Sequence, residues 1–183
     1  MCQTIEDAIK KILVHIGEDP QREGLLETPA RIVKSYEELF SGYKTDPKAL
    51  IKAFKNEGYD EMILIRDIDY VSTCEHHMIP FIGKAHIAYI PDQKITGLSK
   101  IPRLVDCFAK RLQNQERMTV QIAQTLYEEL NPKGVAVMIT GKHLCMCSRG
   151  VNKVNSETVT STFLGAFQED PSQKTCFLSS IRP

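Results

Sequence analysis

The chain has 183 residues, of which 42% are hydrophobic, and its 23 basic and 23 acidic side chains cancel to a formal net charge of zero. That length and composition fit a soluble globular protein with one substantial domain and room for a helical extension, and fall short of two full domains. The charge balance gives no reason to expect nucleic acid or an anionic membrane as partner, so any anion binding must come from local clustering.

The first stretch, MCQTIEDAIKKIL, has no continuous apolar run and no small-residue cleavage site, so no signal peptide is expected. No segment approaches the length of a membrane span. A cytoplasmic location is therefore expected, where Cys2, Cys74, Cys107, Cys145, Cys147 and Cys176 stay reduced. Their irregular spacing is not a secreted disulfide framework, and metal binding is the better expectation for any that cluster.

Ile5, Ala8, Ile9, Ile12, Leu13 and Ile16 recur at helical spacing, and Gly17 ends the run. A second helix opens at Thr28-Pro29, with Thr28 as N-cap and Pro29 in the first helical position; Ile32, Val33, Tyr36, Leu39 and Phe40 form its buried stripe. Asp46-Pro47 starts a short third helix running to about Phe54. The pattern then changes. MILIRDIDYVS and GKAHIAYIP are β-rich, with Ala85, Ile87 and Tyr89 alternating with Lys84, His86 and Ala88. LSKIPRLVDCFAKRLQ and TVQIAQTLYEELNP read as helices, the second lined by Ile122, Ala123, Leu126 and Leu130 and stopped by Asn131-Pro132. GVAVMITGKHLC and SETVTSTFLGAF close the chain with two more strands.

The expected order is thus a helical arm over residues 1–58 and a ββααββ domain over 59–183. This is an α+β fold: an antiparallel sheet with both helices on one face. A four-stranded sheet has two open edges, and homo-oligomerisation that pairs them is a natural solution.

Two clusters carry metal-ligand chemistry. VSTCEHHMIPF sets Cys74 and His77 in C-x2-H spacing, suited to gripping one ion from a turn. Far downstream, GKHLCMCSRG alternates His143, Cys145 and Cys147, which share one face if the segment is extended. Thiolates and imidazole suit zinc. Spacing alone leaves Cys145 and Cys147 as rivals, and leaves open a closed structural site of Cys74, His77, Cys145 and Cys147, although His76 and His143 would then be unexplained. Two zinc chemistries are excluded: there is no P-C-x-x-C of the deaminases and no H-E-x-x-H of the zincins.

TGLSKIPRLVDCFAKRLQNQERMT is locally basic. Lys100 and Arg103 flank a helix start with Ser99 as N-cap, where backbone N–H groups favour anions; a solvated helix face is the plainer alternative, and it suffices for Arg111 and Arg117. Glu116 sits in a tight interhelical turn, either facing solvent or held in a pocket. There its carboxylate would suit a base with adjacent N–H donors, such as guanine.

STCEHHMIPFIGKAHIAYIP, GLSKIPRLVDCFAKRLQNQERMT, HLCMCSRG and EDPQREGLLETPARIVKSYEELFSGY together closely resemble GTP cyclohydrolase I, from about Ile5 nearly to the C-terminus. The resemblance implies the tunnelling fold (T-fold), a toroidal homodecamer and active sites at subunit interfaces. It implies zinc on Cys74, His77 and Cys145, and proton transfer by His76 and His143. Gln115 and Glu116 would contact guanine, and Ser99, Lys100, Arg103 and Arg149 the ribose and triphosphate. The implied reaction opens the imidazole ring of GTP hydrolytically, releases C8 as formate and rearranges the rest to 7,8-dihydroneopterin triphosphate, the first step of pterin and tetrahydrofolate biosynthesis. His143 is the expected donor to N7, with His76 assisting, and Glu75 a residue that orients a ligand histidine. Two alternatives are a related T-fold purine or pterin enzyme, such as a nitrile reductase using nicotinamide and no zinc, and a non-catalytic zinc or nucleotide-binding module.

Overall fold

The computed structural model describes residues 4–181, so the expectation for Cys2 lies outside the described residues. Packing divides the chain into two units, with the boundary between Ser41 and Gly42. In the first unit, α1 (Ile5–His15) opens on a capping box: Thr4 Oγ1 accepts from Asp7 N and the Asp7 carboxylate from Thr4 N, each at 3.1 Å. Gly17, at φ 93°, takes the left-handed turn that ends it. Of the periodic residues only Ile9 and Leu13 are buried, while Ile16 is 65% exposed.

The next helix corrects two expectations. In α2 (Thr28–Leu39) the N-cap position falls to Glu27, and Thr28 is already helical, without a side-chain cap. The reason is local: Leu26 and Glu27 are themselves in the right-handed helical region, so the chain never takes the extended conformation an N-cap requires. Pro29 does occupy the first turn and is buried. The stripe expected to be buried is not, since Tyr36 and Leu39 are exposed and Ile32, Val33 and Phe40 only half-buried. A helical period identifies an apolar face and is silent about what covers it.

The second unit begins with α3 (Pro47–Leu50), capped by Asp46, whose carboxylate accepts from Lys48 N at 3.0 Å. It stops short of Phe54. Ala53–Lys55 instead form β1, paired antiparallel with β4 (Lys94–Thr96), and the Thr96 hydroxyl donates to Lys52 O at 3.0 Å. A one-turn helix has little cooperativity of its own, and a cross-strand partner overrides it.

The main sheet has five strands in the order β5-β2-β3-β6-β7. The four expected strands are β2 (Ile63–Cys74), β3 (Pro80–Ile90), β6 (Gly134–His143) and β7 (Thr158–Gly165), paired antiparallel with one another in that order. The fifth, β5 (Leu112–Gln113), runs parallel beside the end of β2. Between β4 and β6 lie α4 (Lys100–Ala109) and α5 (Gln115–Leu130), and Asn131 closes α5 in the left-handed region at φ 45°. Strand period sorts the core. Ala85, Ile87 and Tyr89 of β3, with Val135, Val137 and Ile139 of β6, pack against Leu104 and Phe108 of α4 and Ile122 and Leu126 of α5. Ala88, Ile90 and Ala136 face the other way, against Phe167 and Phe177. Those aromatics come from α7 (Ala166–Glu169) and α8 (Pro171–Ser180), which the reading of the C-terminus as ending in strand did not anticipate. Their signal was present in Asp170-Pro171, the same pairing that announces α3: Asp170 accepts from Ser172 N at 2.8 Å.

A bulge in β2 between Ile65 and Ile68 puts Asp67 at φ 58°, and its N–H donates to Nδ1 of the buried His86 at 3.2 Å. Burial holds His86 below its ordinary value; Asp67 opposes the shift, and Lys84 and Arg66 add to it. Glu157 lines the same cavity as these groups. The unfolded chain therefore takes up this proton first, and stability rises with pH across the window below about 6.5. A lower urea midpoint is expected at pH 5.5 than at 7.5, with a smaller drop in His86→Gln. An equal drop in both proteins would refute the assignment.

Candidate active site and metal centre

The link from β2 to β3 is a tight turn. Cys74 O accepts from His77 N (3.3 Å) and Met78 N (2.8 Å), and Cys74 N donates to Ile79 O (3.0 Å). Closing it puts Met78 in the left-handed region at φ 54°, a strained position for a side-chain-bearing residue. The gain is geometric. The turn folds His77 back on its own strand end, so that Nδ1 lies 3.7 Å from Cys74 Sγ. His76 Nδ1 lies 3.8 Å from the same sulfur, with the ring largely exposed.

The second cluster is not extended. β6 ends at His143, and Leu144–Cys147 form a single helical turn, α6. That break separates the two rival thiols. Cys145 is buried and joins Cys74 and His77, whose donor atoms all lie within 4.8 Å of one another. Cys147 points elsewhere, its Sγ 3.5 Å from Lys153 O. A tetrahedral ion with Zn–S near 2.3 Å and Zn–N near 2.0–2.1 Å would set sulfur and nitrogen about 3.6 Å apart, close to the 3.7 Å seen. The donor chemistry agrees. Burial, and then the neighbouring Cys74 sulfur, push the Cys145 thiol up, and a bound cation would reverse both effects. The set fits a thiolate-binding metal.

These ligands line a cavity of about 270 Å³ that also holds His76, Gln115, Glu116 and His143. His143 stacks flat on Phe81, with ring centroids 4.5 Å apart at 5°. Burial holds its pKa below the ordinary value, and Glu116 partly opposes the shift. Glu116 is exposed on the first turn of α5, whereas the Gln115 side chain is fully buried and hydrogen-bonded within the protein. Arg149 follows α6 and lies near enough for its charge to act on Cys145. Ser99, Lys100 and Arg103 are not brought here. The far end of α4 adjoins the site, where Ala109 O accepts from the Ser72 hydroxyl at 2.7 Å. Ten helical residues place Lys100 about 15 Å away along the axis. Ser99 holds the N-cap position of α4 but makes no capping bond. A larger cavity of about 760 Å³, beside His86, lies on the opposite sheet face and contains no thiol.

Glu75, expected to orient a ligand histidine, pairs with the start of α5, and its partners Asn114 and Arg117 were not legible as supporting residues. Glu75 accepts from Arg117 Nη2 (2.5 Å) and Asn114 Nδ2 (2.9 Å), and its own N–H donates to Gln113 O (2.9 Å). Arg117 also donates to Gln113 Oε1 (3.0 Å) and Leu112 O (3.1 Å). Arg111 donates to Cys107 O at 2.8 Å and lies over the Phe108 ring. Neither arginine is the solvated basic face expected of it. The Arg117 and Asn114 bonds hold the Glu75 carboxyl below its usual range. Glu75 thus ties the turn bearing Cys74 and His77 to the start of α5, and does so through Arg117. Glu75→Ala and Arg117→Ala are each expected to weaken divalent-metal binding about tenfold in competition with a chromophoric chelator, and the double variant little further. Additive losses would argue against a shared clamp.

Comparison with known proteins points to one family. The family profile described as GTP cyclohydrolase I matches residues 5–182. The chain is 54% identical over 183 residues to GTP cyclohydrolase 1 of Chlorobium chlorochromatii, covering 100% of this chain and 82% of that one. It is 55% identical over 179 residues to that of Leptospira biflexa (97% and 98% covered) and 51% identical to that of Brucella canis (97% and 84%). The archaeosine synthase QueF-like protein in its apo form is a distant likeness, at 15% identity and a TM-score of 0.46 over 60% of this chain and 97% of its own. With a family profile spanning nearly all its residues and relatives above half identity, the chain belongs to the GTP cyclohydrolase I family.

Proposed function

We propose that this protein opens the imidazole ring of GTP by hydrolysis, releases C8 as formate and rearranges the remainder to 7,8-dihydroneopterin triphosphate. The observation that carries the reading is the convergence of Cys74, His77 and Cys145 within 4.8 Å in a cavity that also holds His143 and Glu116. The resident metal is zinc, held by those three side chains. When bound, it supplies Lewis acidity and makes a hydrolytic nucleophile available near neutral pH.

The protein's own groups do the rest. Glu116, the carboxylate of the cavity, accepts from the N1–H and 2-amino group of guanine, an edge adenine lacks. The N–H groups at the start of α5 suit O6. His143 carries the proton delivered to N7, which makes C8 electrophilic, and His76 serves the ring-opening and later proton transfers. Opening the ring takes one water, and hydrolysing the resulting formamide to formate takes a second. One water is returned when the rearranged ribose carbons close the pterin ring, so the net change consumes one water and expels one formate.

Arg149 binds the ribose-triphosphate from one side. Ser99, Lys100 and Arg103 bind it from another copy of the chain, since they lie about 9–15 Å along α4 from its end beside this cavity and none of them lines it. The cavity of about 270 Å³ is also below the roughly 300–1,000 Å³ of typical small-molecule sites, as expected if a second copy supplies a wall. A homodecamer with sites between subunits is the assembly proposed, with no role for nucleic acid or membrane. No helix among the described residues is long and apolar enough to cross a bilayer. A cytoplasmic location suits the free thiols of the described cysteines.

The deciding experiment is formate released per GTP consumed by zinc-replete protein. One formate per GTP is expected. No formate from folded, zinc-loaded protein would overturn the reading.

A further inference from the structure

We propose that Gln115 is a positioning residue: its side-chain oxygen fixes the ring orientation and neutral tautomer of His143, leaving Nδ1 as the atom that exchanges a proton at the reacting centre. The catalytic part of this inference rests on the function proposed above. The tautomer itself follows from the chain's own hydrogen bonds.

The resemblance implied that Gln115 reads guanine, but its side chain is fully buried. Nε2 lies 3.0 Å from Ile139 O, 3.0 Å from Thr158 O and 3.1 Å from Thr160 Oγ1. Two of these are backbone carbonyls, which only accept, so the amide nitrogen must face them; a flipped amide would set oxygen against oxygen. Oε1 therefore faces His143 Nε2, at 2.9 Å. An amide oxygen cannot donate, so Nε2 carries the hydrogen and Nδ1 keeps the lone pair in the neutral ring.

Two further features hold this arrangement. Phe81 stacks on the imidazole nearly parallel and fixes its plane. A Cβ added at Gly141 would lie 2.3 Å from Gln115 Oε1, so the oxygen occupies space that only glycine leaves. The two hydrogens of the Gln115 amide already face three acceptors inside the protein. Reading a base with that side chain would break these bonds, and recognition falls instead to Glu116 and the backbone at the start of α5.

The test begins on zinc-loaded wild-type protein with ¹⁵N-labelled histidine, above the imidazole titration range, with His143 assigned by the signals lost in His143→Asn. Protonated Nε2 and unprotonated Nδ1 are expected; the opposite tautomer overturns the proposal. This measurement needs no turnover, so it stands whether or not GTP is the substrate. The second arm is Gln115→Met. It is expected to lower kcat about 10²-fold while KM for GTP stays within about threefold, and its His143 signals should shift toward mixed tautomers. A raised KM with kcat retained would mean that the side chain reads the base, and would also overturn the proposal. If Gln115→Met fails to fold, the wild-type measurement decides alone, and the opposite tautomer there overturns the inference.

Discussion

Cys145→Ala is expected to abolish formate release from GTP, by about 10³-fold or more, and to leave the purified protein without bound metal after dialysis. The adjacent thiol is the built-in control: Cys147→Ala should keep both metal content and activity within about twofold. The contrast follows from one turn of helix. Had residues 143–147 continued as strand, both sulfurs would have projected on one face and could have shared an ion. The turn of α6 instead directs Cys145 into the cluster with Cys74 and His77, while Cys147 lies against Lys153 O. Burial, and then the neighbouring Cys74 sulfur, disfavour the Cys145 thiolate, so at Cys145 metal binding and thiolate formation are one event. Full zinc occupancy in Cys145→Ala would sink the three-ligand assignment. Loss of metal from Cys147→Ala would revive the closed structural site.

Legibility followed the range of the physics. The alternation in β3 is set by neighbours two residues apart, so Ala85, Ile87 and Tyr89 could be assigned to one face before any partner was known, and they are in the core. The same holds for Gly17 and Asn131, whose backbone conformations end helices locally. The fates of Tyr36 and Leu39 were not readable, because their burial depends on what packs over α2 and not on α2 itself. β5 has two residues and no pattern of its own; it exists because the end of β2 offers it a partner. At the site, residue type and spacing announced the Cys and His clusters, yet could not choose between Cys145 and Cys147, because that choice turns on where β6 stops. Arg117 read as a surface charge because its partner, Glu75, lies 42 positions upstream. Gln115 is the sharper case. The family resemblance assigned it to guanine, and its bonds to β6 and β7, far from it in sequence, turn it inward.

That division of labour between neighbours makes Glu116→Gln the most informative change on the substrate side. Glu116 is the carboxylate lining the cavity, and its side chain is exposed and therefore free to meet a ligand. Against the N1–H and 2-amino group of guanine, a carboxylate accepts twice and does so with charge; glutamine offers one acceptor and sets its own N–H against a donor. Removing the charge and one acceptor is expected to lower kcat/KM for GTP by about 10²–10³, equivalent to about 3–4 kcal/mol. The loss should be specific to the edge being read. Inosine triphosphate lacks the 2-amino group, so the wild type should prefer GTP strongly and the variant should lose most of that preference. Metal content should not change, because Glu116 is not among the residues gathered around the candidate metal position. This separates Glu116→Gln from Cys145→Ala, where activity and metal fall together. It also separates Glu116 from Gln115, whose replacement should spare KM. A variant that kept its kcat/KM for GTP within about threefold, and its preference over inosine triphosphate, would remove Glu116 from base recognition and return that role to the backbone donors at the start of α5.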